Sequence, residues 1–288
     1  MQKIAVVTGA SSGIGKEIAR ELARRGYRLG LVCRNPVRAR AAVEDIVAST
    51  PGAEVEPFEA DLSVLADVRR AADRLRERYE WIDVLVNNAG VHHLRAKVSA
   101  DGYDRMIATN HLGPFLLTNL LLERLTQATP SRVVVVTSEM HRRAGRLDVE
   151  RFAEPGTYGA LGSMRVYARS KLLNILFAEE LAERVKGVAV NAVCPGLVAT
   201  SLGRDAPGVE RMMRVMARTP LVRTPSQGAR TPVRLAVEER FESGRFHPSM
   251  AGARLLPVVG ARKDPGVRAA VWARSAVLVG LGSDSLAS

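Results

Sequence analysis

Tyr167 and Lys171 lie four residues apart in a segment whose apolar residues recur with the period of a helix. Residues at this spacing share a helix face, so the phenol and the ammonium are expected side by side. A free tyrosine has a pKa of about 10, and reaching neutral pH requires about 4 kcal/mol, which one close cation could largely supply. The pair therefore predicts proton transfer to or from an oxygen. The alternative is two ordinary side chains on a solvated helix face.

A glycine-rich turn follows the first apolar run of the chain. Residues 3–8 have the composition of a buried parallel strand, and Thr8–Gly15 leads into a helical pattern that ends at Gly26. In such a strand–turn–helix unit the glycines allow a tight turn and a close approach of pyrophosphate, whose charge the helix N-terminus stabilises. The turn therefore predicts a dinucleotide site.

The residue after the second strand indicates which dinucleotide is bound. NAD-binding proteins place an acid about 20 residues beyond the glycines, whereas here the strand Arg28–Cys33 is followed by Arg34. A guanidinium there can form charge-assisted hydrogen bonds with a 2′-phosphate. Arg34 could also be an ordinary exposed loop arginine, but we favour NADP as the cofactor. Asp61 and Leu62, after the third strand, mark a site where a carboxylate could meet the adenine amine.

Strands alternate with helices along most of the chain, which predicts an α/β fold with a doubly wound parallel sheet. The remaining predicted strands are 54–59, 83–86, 132–137, 188–194 and a weakly marked region at 246–257. The remaining predicted helices are 37–48, 64–79, 101–125, 164–185, 227–237 and 265–281. No repeat or linker divides the sequence, so residues 1–288 are expected to form a single domain.

Four local features bear on the site. Pro114 is expected to kink the helix 101–125 and free a backbone carbonyl near Asn110. Ser138 follows the most strongly predicted strand, at the sheet edge where ligands bind in open α/β folds. Residues 139–163 are expected to be an insertion loop beside the site. Residues 201–225, with three methionines, are interpreted as a C-terminal substrate flap, or else as a short helix packed on the body.

Composition narrows the function classes. The net charge is +12, but the arginines are interspersed with acids as on a solvated helix face, and the sequence lacks zinc-finger spacing or an aromatic-interleaved basic patch. An anionic cofactor or substrate explains the charge better than nucleic acid does. The sequence contains no apolar run long enough for a membrane span and no signal peptide, so a cytoplasmic location is expected. Cys33 and Cys194 are expected to be buried thiols, with no disulfide or metal site.

Taken together, these motifs resemble the short-chain dehydrogenase/reductase family. The resemblance is carried by Thr8–Gly15, Asn87–Gly90, Asn110, Ser138, Tyr167-x-x-x-Lys171 and Pro195-Gly196, in the order found in that family. Further stretches are similar to the retinol-dehydrogenase-like branch: 100–103, 110–113, 170–177 and 224–229. The resemblance implies one Rossmann-like domain and hydride transfer between NADP(H) and a carbonyl or alcohol.

The resemblance also implies roles for individual residues. Tyr167 would be the acid/base, Lys171 would lower its pKa and hold the nicotinamide ribose, and Ser138 would hydrogen-bond the substrate oxygen. Asn110 would anchor a water that relays protons to Lys171. The implied cofactor contacts, besides Tyr167 and Lys171, are Gly9, Ser11, Ser12, Gly13, Ile14, Gly15, Arg34, Asp61, Leu62, Asn88, Ala89, Gly90, Pro195, Gly196, Val198 and Thr200.

The leading hypothesis is an NADPH-dependent reductase of an apolar small-molecule ketone or aldehyde. Three alternatives remain open: reduction of a substrate on an acidic carrier protein, non-redox chemistry such as dehydration or epimerisation in the same cleft, and a non-catalytic NADP-binding sensor. The first would dock on Arg204, Arg211, Arg214, Arg218, Arg223, Arg230 and Arg234. A homo-oligomer built through the helices 101–125 and 164–185 is also possible. The 29-residue spacing from Ser138 to Tyr167 exceeds the family's usual spacing and leaves the substrate's shape open.

Overall fold

A sheet of seven parallel strands, in the order β3-β2-β1-β4-β5-β6-β7, forms the centre of the molecule. The computed structural model describes residues 1–198, 222–238, 242–249 and 257–282. Within these ranges the strands are β1 (Ile4–Thr8), β2 (Arg28–Cys33), β3 (Val55–Glu59), β4 (Val84–Asn87), β5 (Ser131–Val136), β6 (Val188–Val193) and β7 (Arg245–His247). The central strands are continuous apolar runs because helices cover both of their faces.

Helices on the two faces of the sheet make a Rossmann-like, doubly wound architecture, as the sequence predicts. One face is covered by α1 (Gly13–Arg24), α2 (Pro36–Ser49) and α8 (Pro225–Val237). The other face is covered mainly by α3 (Leu65–Arg78), α5 (Gly113–Leu120), α7 (Ala160–Arg184) and α10 (Pro265–Leu278). Three short helices complete the described fold: α4 (Arg105–Ile107), α6 (Leu122–Gln127) and α9 (Gly260–Lys263).

The helix predicted over 101–125, with a kink expected at Pro114, is wrong in its start. Helical structure begins at Arg105, because Gly102 turns the chain with a φ of 84° and the Asp104 carboxylate caps the N–H groups of Met106 and Ile107. A π-helical turn, Ala108–Leu112, then precedes α5. The expected irregularity next to Pro114 is therefore present, and Asn110 lies inside it.

The predicted insertion loop 139–163 is partly helical and partly buried. A 3₁₀ turn spans Glu139–Arg143, and α7 starts already at Ala160, so the irregular segment is only 144–159. Phe152 lies in the core, and the Tyr158 hydroxyl donates to the Asp104 carboxylate at 2.7 Å. The segment is thus packed onto the body of the domain. The predicted last strand, 246–257, is limited within the described residues to β7, and most of the predicted flap, 201–221, lies outside them.

The helix α10 packs on the two helices that were considered for a possible homo-oligomer. Trp272 of α10 lies against Phe115 of α5 and Phe177 of α7, with ring centroids 4.9 and 5.9 Å away. The buried His111 Nε2 and Ser275 Oγ of α10 are hydrogen-bonded at 2.9 Å. A second copy could not use this covered surface without displacing α10. In the described parts of the chain, no helix has the length and apolarity needed to cross a bilayer.

Candidate active site

The predicted chemical residues gather at the carboxyl edge of the sheet. Ser138 lies two residues beyond the end of β5, and Tyr167 and Lys171 lie on successive turns of the adjacent helix α7. The Ser138 side chain lies close enough to the Tyr167 hydroxyl to oppose the rise of its pKa, and Lys171 Nζ is 5.6 Å from the centroid of the Tyr167 ring. Lys171 Nζ also donates to the Val136 carbonyl at 3.3 Å. Both α7 residues are buried, so the predicted solvated face is excluded for this pair.

Burial opposes the expected ionisation of Tyr167. Desolvation raises the pKa of the phenol above its ordinary value, Cys194 adds to that rise, and the hydrogen bond with Ser138 opposes it. Burial also lowers the pKa of Lys171 to about 8, so its ammonium loses part of its charge near that pH. In the protein by itself burial outweighs the expected lowering, so the effect of Lys171 on the tyrosine pKa stays a prediction. The phenol is protonated at neutral pH, which is the form of a proton donor.

Asn110 fixes the loop that follows β4. Its Oδ1 accepts from the Val91 N–H at 2.7 Å, and its Nδ2 donates to the Val91 carbonyl and to Ser170 Oγ at 3.0 Å each. Ser170 in turn donates to the Tyr167 carbonyl at 2.7 Å. A Cβ atom added to Gly90 would lie 3.3 Å from Lys171 Nζ and 3.5 Å from Asn110 Oδ1. The structure thus brings Asn110, Ser138, Tyr167 and Lys171 into one cluster, with Asn110 tying the loop to α7.

The glycine turn has the geometry of a phosphate cradle. Gly9 and Gly13 have φ values of 67° and 59°, which side chains disfavour. A Cβ atom on Gly15 would lie 2.4 Å from Asn88 Nδ2 and 2.5 Å from the Gly9 carbonyl oxygen. Ser12 begins α1 without a side-chain cap, which leaves the first N–H groups of that helix for an anion. The turn fits the pyrophosphate of a dinucleotide.

Asn88 and Ala89 support that turn from the next strand. Asn88 Nδ2 donates to the Thr8 carbonyl at 2.9 Å, and Thr8 Oγ1 accepts from the N–H groups of Asn88 and Ala89 at 3.0 Å each. The Asn88 side chain is therefore directed at the turn itself. Of the other turn residues, Ser11 has its hydroxyl beside the buried Cys33 thiol, and Ile14 is half-buried against α8.

The expected adenosine end carries a second arginine that the sequence reading missed. Asp61 Oδ1 accepts from the Ser63 N–H and hydroxyl, while its Oδ2 lies 3.1 Å from an Arg105 nitrogen and 4.0 Å from one of Arg34. Arg34 is 58% exposed at the end of β2. Hydrogen bonds to Ser63 and the charges of Arg105 and Arg34 outweigh desolvation and hold the pKa of Asp61 below its usual range. A carboxylate engaged in this way has limited capacity left for an adenine amine.

The structure places two other residues at this end. Lys16, a nearby basic residue on α1, forms an ion pair with Asp45 at 2.8 Å. Leu62 is buried under α5, and a Cβ atom on Gly113 would lie 2.2 Å from the Leu62 carbonyl oxygen. The basic residues that remain near the end of β2 are Arg34 and the exposed Arg38. The 2′-phosphate prediction therefore depends mainly on Arg34.

The segment after β6 borders the same edge. Gly196 has a φ of 95°, and the Pro195 carbonyl accepts from Arg223 at 3.1 Å. Val198 is buried and would lie 2.8 Å from a Cβ atom on Gly228 of α8. Thr200 lies outside the described residues.

The arginines considered for carrier docking do not form one described surface. Arg223 donates to the carbonyls of Pro195 and Ser249, so it is used inside the fold. Arg230 and Arg234 are exposed on α8, and Arg234 pairs with Glu238 at 3.7 Å. The other four, at 204, 211, 214 and 218, lie outside the described residues.

Two histidines beside the cluster were not singled out in the sequence. The His92 ring lies 5.3 Å from the Tyr167 ring between centroids, and its Nε2 is 3.1 Å from Ser163 Oγ. The buried His141 directs Nδ1 at the Ser138 carbonyl, 2.8 Å away. Histidine is infrequent in this chain, with five in all, and both of these follow motif residues closely. The closeness of these histidines to motif residues in the sequence was the signal that could have identified them.

Cys33 and Cys194 are buried free thiols, as expected, and burial raises the pKa of Cys33 to about 11. In the described ranges, no three histidine, cysteine, aspartate or glutamate side chains are grouped as ligands of one metal ion would be.

Comparison with known proteins places this geometry in a family. The model of the short chain dehydrogenase family matches residues 3–149. The chain is 42% identical over 286 residues to dehydrogenase/reductase SDR family member 13 of Bos taurus, covering 97% of this chain and 74% of that protein. It is 37% identical to retinol dehydrogenase 14 of Mus musculus, covering 97% and 86%. Among solved structures, a blue fluorescent protein from a metagenomic library in complex with NADPH shares 26% identity with a TM-score of 0.68, covering 87% and 97%.

Proposed function

Since the chain belongs to the short-chain dehydrogenase/reductase family, we propose that it is an NADPH-dependent reductase of apolar aldehydes or ketones, with Tyr167 as the proton donor. The observation that carries the proposal is the placement of Ser138 and the buried Lys171 beside the phenol of Tyr167. The glycine cradle at the start of α1 lies on the same sheet edge.

Gly9, Ser12, Gly13 and Gly15 would hold the pyrophosphate at the N-terminus of α1, and Arg34 would pair with the 2′-phosphate. When bound, NADPH supplies the hydride. The likeness to a protein in complex with NADPH supports this cofactor. Arg34 supports it further, because an acid at that position would repel a 2′-phosphate.

Tyr167 gives its phenolic proton to the substrate oxygen as negative charge develops there. Ser138 hydrogen-bonds the same oxygen and keeps it within reach of the phenol. The charged form of Lys171 stabilises the phenolate that remains after proton transfer. This stabilisation offsets the burial that otherwise disfavours the phenolate. Asn110 holds Val91 and Ser170, so that the loop after β4 stays against α7.

The decisive test measures oxidation of NADPH and of NADH with a series of straight-chain aldehydes and methyl ketones. We expect turnover with NADPH and a loss of about 10²- to 10⁴-fold in kcat for Tyr167→Phe, because that change removes the proton donor alone. NADPH binding, followed by its fluorescence, should remain within twofold of wild type. Wild-type turnover in the Tyr167→Phe variant would refute the mechanism, and equal use of NADH would refute the cofactor assignment.

A further inference from the structure

Three consecutive residues after β4 each contact a different member of the catalytic cluster. Gly90 lies beside Lys171, the Val91 backbone is bonded twice by Asn110, and the His92 ring lies against Tyr167. The first two contacts hold residues in the middle of the cluster. His92 extends the segment to the start of α7, where its Nε2 is 3.1 Å from Ser163 Oγ.

The first turn of α7 is mostly exposed among the described residues. Gly159 begins the helix without a side-chain cap, and Ala160, Leu161, Met164 and Arg165 are exposed. Ser163 is fully buried within that exposed stretch and lies one turn before Tyr167, on the same helix face. A bond to Ser163 therefore acts on the helical turn that presents the phenol.

The hydrogen-bond pattern assigns the tautomer of His92. Ser163 Oγ donates its one hydrogen to the Ala160 carbonyl at 2.6 Å, so it can only accept from His92. Nε2 must therefore carry the proton. Burial, with a smaller effect of His93, lowers the pKa of His92 below its ordinary value, which keeps the ring neutral at pH 7.

We propose that His92 is a positioning residue for Tyr167, acting through its Nε2–H bond to Ser163 and its ring contact with the phenol. Ring centroids 5.3 Å apart at an interplanar angle of 58° fall within the range of favourable aromatic pairs, so the imidazole restricts the ring on one side. The hydrogen bond to Ser163 restricts the turn of α7 that precedes Tyr167. The role rests on the proposed reductase function, whereas the contact itself does not.

The contact is tested by long-range ¹H–¹⁵N spectra of the histidine rings in the full-length protein. The His92 signals are identified by their loss in His92→Gln, and we expect the Nε2–H tautomer. In Ser163→Ala the same ring should become a mixture of tautomers, because the acceptor that selects Nε2–H is gone. An Nδ1–H tautomer in the wild type, or spectra unaffected by Ser163→Ala, would overturn the proposal.

The role is tested by kinetics with NADPH and nonanal for Ser163→Ala, His92→Leu, His92→Gln and the double variant Ser163→Ala/His92→Leu. Each of the first two should lower kcat about three- to tenfold, the range of one neutral hydrogen bond, with KM and NADPH affinity within twofold. The double variant should be no slower than His92→Leu. His92→Gln should recover most of kcat, since its amide N–H can reach Ser163.

The matched control is Leu161→Ala, because Leu161 is on the same turn of α7 and 94% exposed; wild-type kinetics are expected. If the losses of kcat in the two single variants multiply in the double variant, positioning through Ser163 is overturned. It is also overturned if Ser163→Ala keeps the wild-type kcat while His92→Gln lowers it. If the wild type does not reduce nonanal, the proposed function fails for this substrate, and the spectra still decide whether the contact exists.

Discussion

The two ends of the site handle charge in opposite ways. At the expected adenosine end Arg34 is 58% exposed, and the guanidinium groups of Arg34 and Arg105 lie within 4.0 Å of Asp61, where they help to hold its pKa below the usual range. At the catalytic end Tyr167 and Lys171 are buried, and burial shifts both pKa values toward the neutral form. The difference separates two tasks. Exposed, paired charges can recognise a phosphate without changing protonation, whereas a buried pair is poised to exchange a proton.

Among the substitutions that test this comparison, we expect one at Lys171 to have the largest effect. Lys171→Met should lower kcat about 100-fold or more, because the phenolate left after proton transfer loses its only close cation among the described residues. NADPH affinity should fall less, since the glycine cradle is untouched. Steady-state kinetics together with NADPH fluorescence titration measure the two effects. A variant that loses affinity but keeps kcat would place Lys171 in binding alone.

The pH dependence of kcat/KM tests the role of the same residue. Burial lowers the pKa of Lys171 from 10.5 to about 8, so the side chain is charged below that pH and neutral above it. In the wild type, kcat/KM should fall as the pH rises through about 8. In Lys171→Arg the guanidinium stays charged, and the alkaline fall should move to higher pH or disappear. An identical alkaline fall in both proteins would assign it to another group.

At the adenosine end we expect a smaller effect that depends on the cofactor. Arg34→Gln should raise the Kd of NADPH about 10- to 100-fold, the value of a hydrogen bond to a charged group, and leave the Kd of NADH unchanged. Arg40→Gln is the control, because Arg40 is also exposed on the neighbouring α2. Fluorescence titration with both cofactors measures the ratio. Equal weakening of NADPH and NADH would show that Arg34 does not read the 2′-phosphate.

The smallest effect is expected at Arg105. Arg105→Gln leaves Asp61 with Arg34 as its nearest basic partner, so the carboxylate should compete more strongly for that guanidinium. Half-exposed ion pairs contribute less than about 1 kcal/mol, so the Kd of NADPH should rise only about two- to threefold. The same titration, repeated at high salt where the difference should shrink, provides the check. A larger rise in the Kd of NADPH for Arg105→Gln than for Arg34→Gln would show that Arg105 contributes more to NADPH binding than Arg34 does.

Local sequence patterns predicted the family and the sheet because they depend on neighbours along the chain. The glycine turn, the apolar runs and the spacing of Tyr167 and Lys171 each fix a local geometry that the structure reproduces. The start of helical structure at Arg105 was missed, because the Asp104 cap and the turn at Gly102 outweighed the apolar periodicity. The early start of α7 was missed because residues 160–166 are mostly exposed and lack an apolar stripe.

The sequence by itself determined that a tyrosine, a lysine and a glycine cradle would meet at one edge of a parallel sheet. Only the tertiary structure decided their electrostatics, because desolvation depends on what covers a group from every side. It buried Tyr167 deeply enough to raise its pKa, despite a lysine four residues away. It also placed His92 against the tyrosine and Arg105 against Asp61, across 75 and 44 residues of chain, contacts that no local spacing encodes.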